Sequence, residues 1–374
     1  MTATATKTKP ATGIRLPRTD LFAALQAVGK AISSRTPKPI LRNVRIGDGL
    51  ITGTDLEVRV DRAIEADCEP FLVPWDRLLN IVREARGDEV TLKPKDTSVV
   101  VKCGGGSWTL PTEDVREFPV WEPEGLKFVC RMPAEQFHRA VKATVYATDN
   151  ESSRYALGAV CIDVDRESGE VNLIGTDGRR LSVAKVDLGE TQDPDSREVL
   201  IPSHAIGFVG DMAGGVGGIE IEATGAEVRF QFEDTTVTAR LTDGRFPRWR
   251  DVMGEPEGEP NVLDIAELKA ATKAAAIVTS EQSKGIDLSW HGETLVLSGK
   301  SSEYGESIVK CPLVAAGNAA SVKLDPRYIV DFLNGIESKE GEPQVELYVK
   351  DAASRVLLRC GDYSGVIMPL DPAG

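Results

Sequence analysis

The sequence has few of the side chains that build metal and redox centres. Its six cysteines include no C-x-x-C pair, and its three histidines lie far from one another. A zinc site would have to be assembled from distant parts of the chain, so we favour buried, reduced thiols. We therefore expect no metal and no cofactor. The cysteines are Cys68, Cys103, Cys130, Cys161, Cys311 and Cys360.

Long apolar runs are also missing. No stretch approaches the roughly 20 residues that a membrane span needs, and residues 1–12 (MTATATKTKPAT) lack the apolar centre of a signal peptide. We expect a disordered tail over residues 1–12, a cytoplasmic protein and no membrane partner. The glycine runs CGGGSW and AGGVGG lack the G-x-x-x-x-G-K-[ST] pattern of a phosphate-binding loop, so we expect strand connections there.

A basic excess is absent as well. The chain has 44 Lys and Arg against 58 Asp and Glu, for a formal net charge of −14. Neutralising phosphates requires clustered basic side chains, so this balance argues against general coating of nucleic acid. Any contact with DNA has to be local.

What the sequence does contain is a repeat. The segment NLIGTDGRRLSV (172–183) shares its Gly-Thr-Asp with LITGTDLEVRV (50–60), roughly one third of the chain earlier. In each third, an apolar spacing of three and four residues predicts a helix, and strand-like alternation broken by turn residues follows it. A second helix and another pair of strands complete each unit. The first helices are predicted at 19–33, 133–147 and 264–278, and the second helices begin near 73, 201 and 324.

This pattern predicts an α+β fold of three repeated domains, each with two helices against antiparallel sheet. We place the domains at 13–125, 126–253 and 254–374 and call them the first, second and third repeats. Thr19 and Asp264 are available as helix caps, and prolines are available for the first turn of the second helices.

The predicted helices are locally basic. Basic side chains at helical spacing would form one positive surface on an otherwise acidic protein, although solvated faces with acidic neighbours would give the same pattern. The candidates for a DNA-facing surface are Lys30, Arg83, Arg139, Lys142, Lys273 and Lys284.

Six motifs in register across the chain resemble the bacterial sliding clamp family, the β subunit of DNA polymerase III. They are TPKPILRNV (36–44), GTDLEVRV (53–60), SRYALGAV (153–160), TDGRRLSVA (176–184), DGRFPRWRDV (243–252) and VIMPL (366–370).

The resemblance implies a head-to-tail homodimer whose six domains form a ring around double-stranded DNA, without sequence preference. It also implies a non-catalytic role, with a clamp loader, the polymerase III catalytic subunit and other peptide-bearing proteins as partners. Arg35 and Arg154 match positions that contact DNA in the family. At the subunit boundary it pairs Trp108 and Leu110 with Ile277 and Val278 of the next chain; packing inside a domain is the competing explanation.

A groove for partner peptides is implied between the second and third repeats. Ordinary core and hairpin packing is the alternative for its apolar members. If the groove exists, the two arginines would be rim groups, and their loss should weaken binding less than loss of Leu181 or Met368. The matching residues are Leu157, Thr176, Gly178, Arg179, Arg180, Leu181, Pro247, Val252, Val366, Met368, Pro369 and Leu370.

Two other functions fit parts of the sequence. Asp55, Asp177 and Asp243 beside turn glycines could serve a hydrolase, but aspartate in such turns is usually a turn former. A monomeric interaction protein built on the same fold differs from a ring only in its assembly. The chain departs from the family pattern at its end: Asp371 stands where many clamps have a basic residue, and residues 372–374 are additional. We expect these differences to affect which partners bind.

Overall fold

The computed structural model describes residues 13–33, 36–149, 155–165, 169–186, 197–214, 217–280, 285–336 and 344–370. The chain divides into two compact units. The first comprises residues 1–127 and 220–240, and the second comprises residues 128–219 and 241–374.

The described helices and strands are as follows. The helices are α1 (Arg18–Gly29), α2 (Trp75–Glu84), α3 (Ala134–Thr144), α4 (Ser203–Ala213), α5 (Trp249–Met253), α6 (Ile265–Ala275) and α7 (Pro326–Gly335). The strands of the first repeat are β1 (Ile14–Pro17), β2 (Asn43–Gly47), β3 (Leu50–Thr54), β4 (Val58–Ala63), β5 (Phe71–Pro74), β6 (Glu89–Lys95), β7 (Ser98–Cys103) and β8 (Gly106–Pro111). Those of the second repeat are β9 (Lys127–Pro133), β10 (Ala159–Asp165), β11 (Glu170–Thr176), β12 (Arg180–Val186), β13 (Arg197–Pro202), β14 (Gly218–Ala223), β15 (Glu227–Phe232) and β16 (Thr235–Arg240). Those of the third are β17 (Asn261–Asp264), β18 (Ile286–His291), β19 (Thr294–Ser301), β20 (Gly305–Pro312), β21 (Ser321–Leu324), β22 (Gln344–Tyr348), β23 (Val356–Cys360) and β24 (Tyr363–Ile367).

In the first unit, α1 and α2 pack side by side against antiparallel sheet. One sheet has the order β1-β6-β7-β8, and another contains the order β5-β2-β3-β4-β16-β15-β14. Leu21, Leu25 and Val28 of α1 are fully buried, as their spacing predicts. The pairing of β4 with β16 joins a strand of the first repeat to a strand of the second.

In the second unit, the sheet order is β13-β10-β11-β12-β24-β23-β22-β17, with a separate sheet β20-β19-β18-β21. The helix α3 packs on both α4 and α7, and α7 packs on α6, so these helices form a row. The pairing of β12 with β24 joins the second repeat to the third, in the same way that β4 pairs with β16. The prediction of three α+β domains, each with two helices against antiparallel sheet, is confirmed.

The helix starts differ partly from expectation. Asp264 does cap α6, accepting a hydrogen bond from the Glu267 amide at 2.9 Å. The Thr19 prediction was wrong, because this residue lies inside α1 and its hydroxyl donates to Asp20. Prolines more often lie directly before a helix than in its first turn. Among the described helices, only α7 has a proline, Pro326, as its first residue. The four prolines that directly precede helices are Pro17, Pro74, Pro133 and Pro202.

The repeated Gly-Thr-Asp has a packing explanation. Its glycine lies under the end of the first helix of each repeat, where a Cβ atom would collide with a helix carbonyl oxygen. The distances from a Cβ to that oxygen would be 2.7 Å for Gly53 and Val28, 2.2 Å for Gly175 and Thr144, and 2.5 Å for Gly299 and Ala275. Real Cβ contacts this short do not occur, so the strand requires glycine.

The polar residue two positions later closes a turn. The Oδ1 atom of Asp55 accepts hydrogen bonds from two backbone amides, and Asp177 does the same. In the third repeat the Ser301 hydroxyl takes this role. The aspartates are therefore turn formers of the Asx type.

Candidate functional site

A groove of about 470 Å³ opens on the second unit beside the junction of β12 and β24. It lies where the sequence of the second repeat meets that of the third. Nine of the twelve residues predicted for a peptide groove line it: Thr176, Gly178, Arg179, Arg180, Leu181, Pro247, Val252, Val366 and Met368.

The floor of the groove belongs to a hydrophobic core. Leu181 and Val366 face each other across the strand pair, and both are buried together with Trp249. In contrast, Val252 is 41% exposed and Met368 is 42% exposed, so these side chains are available to an incoming group. A rigid apolar floor with a flexible methionine at its edge suits bulky apolar side chains of a peptide.

Three predicted residues lie outside this lining. Leu157 is buried, and its carbonyl accepts a hydrogen bond from the Asp149 amide at 2.8 Å. Leu370 donates its amide to the Lys323 carbonyl at 2.8 Å. Pro369 does not contribute to the lining either.

Four lining residues were not predicted. Trp249 and Asp251 lie within the motif DGRFPRWRDV, so their neighbours Pro247 and Val252 could have indicated them. Ser354 and Arg355 come from the loop between β22 and β23. No sequence pattern placed that loop beside β12.

The two neighbouring arginines of the groove are held differently. Arg180 has a side chain that is only 13% exposed, and it forms ion pairs with Asp177 at 2.9 Å and with Asp331 of α7 at 2.5 Å. It also donates to the Tyr146 carbonyl at 2.7 Å and stacks on the ring of Tyr328, 4.5 Å from its centre. Arg180 therefore fastens the second repeat to the third, and the prediction that it is a rim group was wrong.

The charge of Arg180 is stabilised in place. Burial disfavours the guanidinium charge, but the bonds to Asp331 and Asp177 outweigh that cost and raise the pKa of Arg180. Arg179, by comparison, is exposed, and its carbonyl accepts a hydrogen bond from the Met368 amide at 2.9 Å. Only Arg179 fits the predicted rim position.

A buried carboxylate supports the groove from below. Asp163 accepts hydrogen bonds from the indole nitrogen of Trp249 at 2.9 Å and from Arg250 at 2.6 Å. Arg250 also stacks on the Trp249 ring, 4.3 Å from its centre. These contacts fix the orientation of the tryptophan that forms part of the groove floor.

The equivalent place in the first unit is occupied by the protein itself. There Arg59 holds the position of Leu181, and its side chain is 5% exposed. It pairs with Asp61 at 2.7 Å, donates to the Trp121 carbonyl and lies over the Trp121 ring. The repeats thus share a framework while their side chains leave the groove open beside Leu181.

Five predicted basic residues lie within a helix or directly after one. Lys30 directly follows α1, Arg83 lies in the last turn of α2, and Lys273 lies in the last turn of α6; all three are exposed. Lys142 of α3 is also exposed, whereas Arg139 is largely buried and lies 3.5 Å from Glu135. Cations at helix C-termini are stabilised by the helix dipole. Arg35, Arg154 and Lys284 lie outside the described residues, as does Asp371.

Of the predicted subunit-boundary residues, Trp108 and Leu110 lie on β8, and Ile277 and Val278 lie in the turn after α6, which packs against β20. Within the described residues, β8 ends the sheet of the first unit and β20 ends the smaller sheet of the second unit. Ile277, in the turn after α6, is 78% exposed, and Ile308 of β20 is 74% exposed. Val278 and Trp108 are half-buried, and Leu110 is 9% exposed.

Two of the thiols are held protonated, and the candidate acids are exposed or engaged in turns. Burial raises the pKa of the Cys130 thiol to about 12 and that of Cys311 to about 11, so both remain protonated at neutral pH. Asp243 is exposed, and Asp55 and Asp177 are occupied by turn amides. Across the described ranges, no helix is long and apolar enough to cross a membrane.

Comparison with known proteins follows the three repeats. Residues 12–122 match the DNA polymerase III beta subunit N-terminal domain, residues 131–248 its central domain and residues 255–370 its C-terminal domain. The chain is similar to the beta sliding clamps of Haemophilus influenzae, at 28% identity over 374 residues, and Pseudomonas putida, at 27% over 366. Each alignment covers 94% of this chain and 98% of the relative.

Solved structures agree in fold. The sliding clamp of Pseudomonas aeruginosa bound to griselimycin superposes with a TM-score of 0.88 at 24% identity, covering 97% of this chain and 100% of that one. The clamp of Bacillus subtilis gives a TM-score of 0.87 at 20% identity, with the same coverage.

Proposed function

Because this chain belongs to the DNA polymerase III beta subunit family, whose members are non-catalytic sliding clamps, we propose that it encircles duplex DNA as a head-to-tail dimer. It tethers the polymerase III catalytic subunit and other DNA-processing proteins through the groove beside Leu181. A clamp loader opens and closes the ring, and the protein acts in the cytoplasm, where the DNA is. The boundaries 13–125, 126–253 and 254–374 remain our proposed domain limits.

The observation that carries the ring proposal is the pattern of strand pairing. The strand after the shared glycine joins the next repeat twice, as β4 with β16 and as β12 with β24. In the third repeat that strand is β20, and in the first repeat the strand that would receive it is β8. Both are edge strands within the described residues. Pairing β20 of one copy with β8 of another would therefore form the same kind of junction between two chains. Such head-to-tail contacts can close into a ring.

A second junction contact can be transferred in the same way. In the second repeat, Tyr146 lies in the tight turn after the first helix and packs against the end of α7; a Cβ on Gly335 would lie 2.8 Å from its ring. Ile277 holds the same place in the third repeat but is exposed. An isoleucine left exposed where a tyrosine is half-buried against α7 supports a partner surface on α2 of a second copy, the counterpart of α7.

The groove supports the tethering role. Its buried apolar floor is fixed by the core, and its exposed edge residues can adapt to different peptides. The exposed lysines and arginines on the helices support the DNA role, since phosphate contacts require local positive charge without base recognition.

Assembly is tested by the solution mass of the full chain across a dilution series. We expect about twice the chain mass of 40.3 kDa and a shift to the monomer mass when Ile277→Asp and Ile308→Asp are combined. Val314→Asp is the matched control, because Val314 is 55% exposed in the same unit but lies off β20. A wild-type chain that is monomeric at every concentration would overturn the ring and favour the monomeric interaction protein.

Encirclement is tested by loading the dimer with a clamp loader onto nicked circular DNA. We expect the protein to remain bound in high salt on the circle and to be lost when the circle is linearised, because topology rather than charge retains it. Equal retention on both forms would contradict encirclement.

Tethering is tested with a fluorescent synthetic peptide that carries Leu and Phe as bulky anchors. Met368→Ala should weaken binding by about tenfold, whereas Val314→Ala should not. Equal affinities of Met368→Ala and the wild type would remove the groove from the proposal.

A further inference from the structure

We infer that Arg355 is a specificity residue of the groove and selects peptides that carry a carboxylate next to their apolar anchors. This inference rests on the proposed tethering function. Arg355 lines the main groove and also an adjoining recess formed with Glu255, Glu257 and Lys350. It therefore lies where a peptide leaves the apolar floor.

The Arg355 side chain is held in position by neutral groups. Its Nε donates to the Met253 carbonyl at 3.2 Å, and its Nη2 donates to the Glu255 carbonyl at 3.3 Å. It also packs against Gly254, where an added Cβ would lie 2.3 Å from Nη2. Backbone carbonyls orient the guanidinium but cancel none of its charge.

Two other arginines near the groove are neutralised, whereas Arg179, also in the lining, is exposed and its side chain forms no hydrogen bond or ion pair within the described residues. Arg180 pairs with Asp177 and Asp331, and Arg250 pairs with Asp163. In the described part of the chain, Arg355 has no carboxylate within ion-pair distance: neither Asp251 of the groove nor Glu255 of the recess is paired with it, and Glu257 pairs with Lys350. A guanidinium has five N–H donors, so donors remain after two are used.

The negative charge of the whole protein makes a local cation necessary for binding an acidic peptide. At a net charge of −14, the protein repels an acidic peptide at long range. A carboxylate can be accepted only where a local cation offsets that repulsion, and a guanidinium binds carboxylates with paired hydrogen bonds. The chemistry of the groove therefore fits a peptide with bulky apolar anchors and an Asp or Glu beside them.

The test compares synthetic peptides that carry both apolar anchors and differ by Asp or Asn at one position, scanned across the peptide. We expect at least one Asp peptide to bind the wild-type dimer about tenfold more tightly than its Asn partner, and this ratio to shrink with added salt. Arg355→Gln should reduce the ratio to about one while leaving the Asn peptide unchanged. Arg359→Gln is the control, since Arg359 lies on β23 close in sequence but outside the lining.

The outcomes separate the two proposals. If Asn peptides bind and depend on Met368 but no position prefers Asp, or if Arg355→Gln keeps the preference, the groove stands and the role of Arg355 is overturned. If no peptide binds, the tethering function falls, and the inference falls with it.

Discussion

At the scale of single residues, neighbours in the sequence can have opposite roles. Arg179 is exposed beside the groove, while Arg180 is enclosed by Asp177, Asp331 and two tyrosine rings. Their positions explain the difference, since Arg179 lies in the turn formed by Asp177 and Arg180 is the first residue of β12. Two adjacent arginines in a motif should therefore not be assigned one function.

Arg180→Gln should lower the free energy of unfolding by about 2 kcal/mol. This loss of stability is smaller than the loss expected when a fully buried ion pair is broken, because Asp331 is 38% exposed. Arg179→Gln, which removes the same charge one residue away, should change stability by less than about 0.5 kcal/mol. Urea unfolding of both variants provides the comparison, and equal losses would contradict the fastening role.

The shared glycine makes a second residue-scale prediction. Gly175→Ala should destabilise the protein by about 1–3 kcal/mol, because its Cβ would be forced against the Thr144 carbonyl. Gly225→Ala is the control, since nothing lies within 4 Å of a Cβ there. Thermal unfolding midpoints would measure both, and an unchanged midpoint for Gly175→Ala would show that the strand moves away without cost.

At the scale of elements, β10 and β13 place two acids opposite each other. Asp163 pairs in register with Glu198. Although Glu198 is exposed as a whole residue, partial desolvation of its carboxyl and the adjacent Asp163 raise its pKa above the ordinary value of 4.5. The folded state therefore holds this proton more tightly than the unfolded chain does. Stability from this group is present at low pH and is lost as pH rises through the interval between 4.5 and the raised pKa.

Glu198→Gln should accordingly raise the unfolding midpoint slightly at pH 7 and give no gain at pH 3. Glu293→Gln, in an exposed turn of the same unit, is the control. The measurement is differential scanning calorimetry at both pH values. A gain for Glu198→Gln that is equal at pH 3 and pH 7 would show that ionisation is not its cause.

Sequence periodicity located the helices well but not their ends. The apolar spacing of Leu21, Leu25 and Val28 survives in the structure, because it reports burial directly. The predicted helices continued through residues 145–147 and 276–278, where the chain instead forms a tight 3-10 turn. Tyr146 in the first of these turns packs against the end of α7, and local spacing cannot distinguish such a contact from burial within a helix.

The groove was predictable only in part for a related reason. Its residues around β12, in and just before α5, and around β24 lie in recognisable motifs, whereas Arg355 comes from a loop that packs against Gly254. Such long-range placement is a property of the fold. The assignment of Arg180 to the rim failed because its partner Asp331 lies 151 residues away.

At the scale of the whole molecule, the repeats predict the register of the proposed contact between copies. The shared glycines Gly53 and Gly175 lie opposite Val60 of β4 and Ser182 of β12. Across the junction between repeats, each of these two residues pairs with the third residue of the neighbouring strand: Val60 with Val237 of β16, and Ser182 with Gly365 of β24. The corresponding residues are Ser307 of β20 and Trp108 of β8. In antiparallel pairing, Ile308 then faces Ser107.

Combining Ser107→Cys with Ile308→Cys should therefore give a disulfide between copies under mild oxidation, because directly opposed residues meet its distance requirement. Ser107→Cys with Lys310→Cys is two residues out of register and should cross-link far less. Non-reducing electrophoresis resolves the products. Preferential cross-linking of the second pair would refute the register taken from the internal repeats.

The open edges β8 and β20 have a further consequence for growth of the assembly. Each contact between unlike edges uses one edge from each copy and leaves the other two free, so the contact has no built-in limit. Growth stops only if the rotation added by each copy brings the last free edge back to the first. A substitution that changes this rotation while keeping every contact would yield open filaments of the same chain.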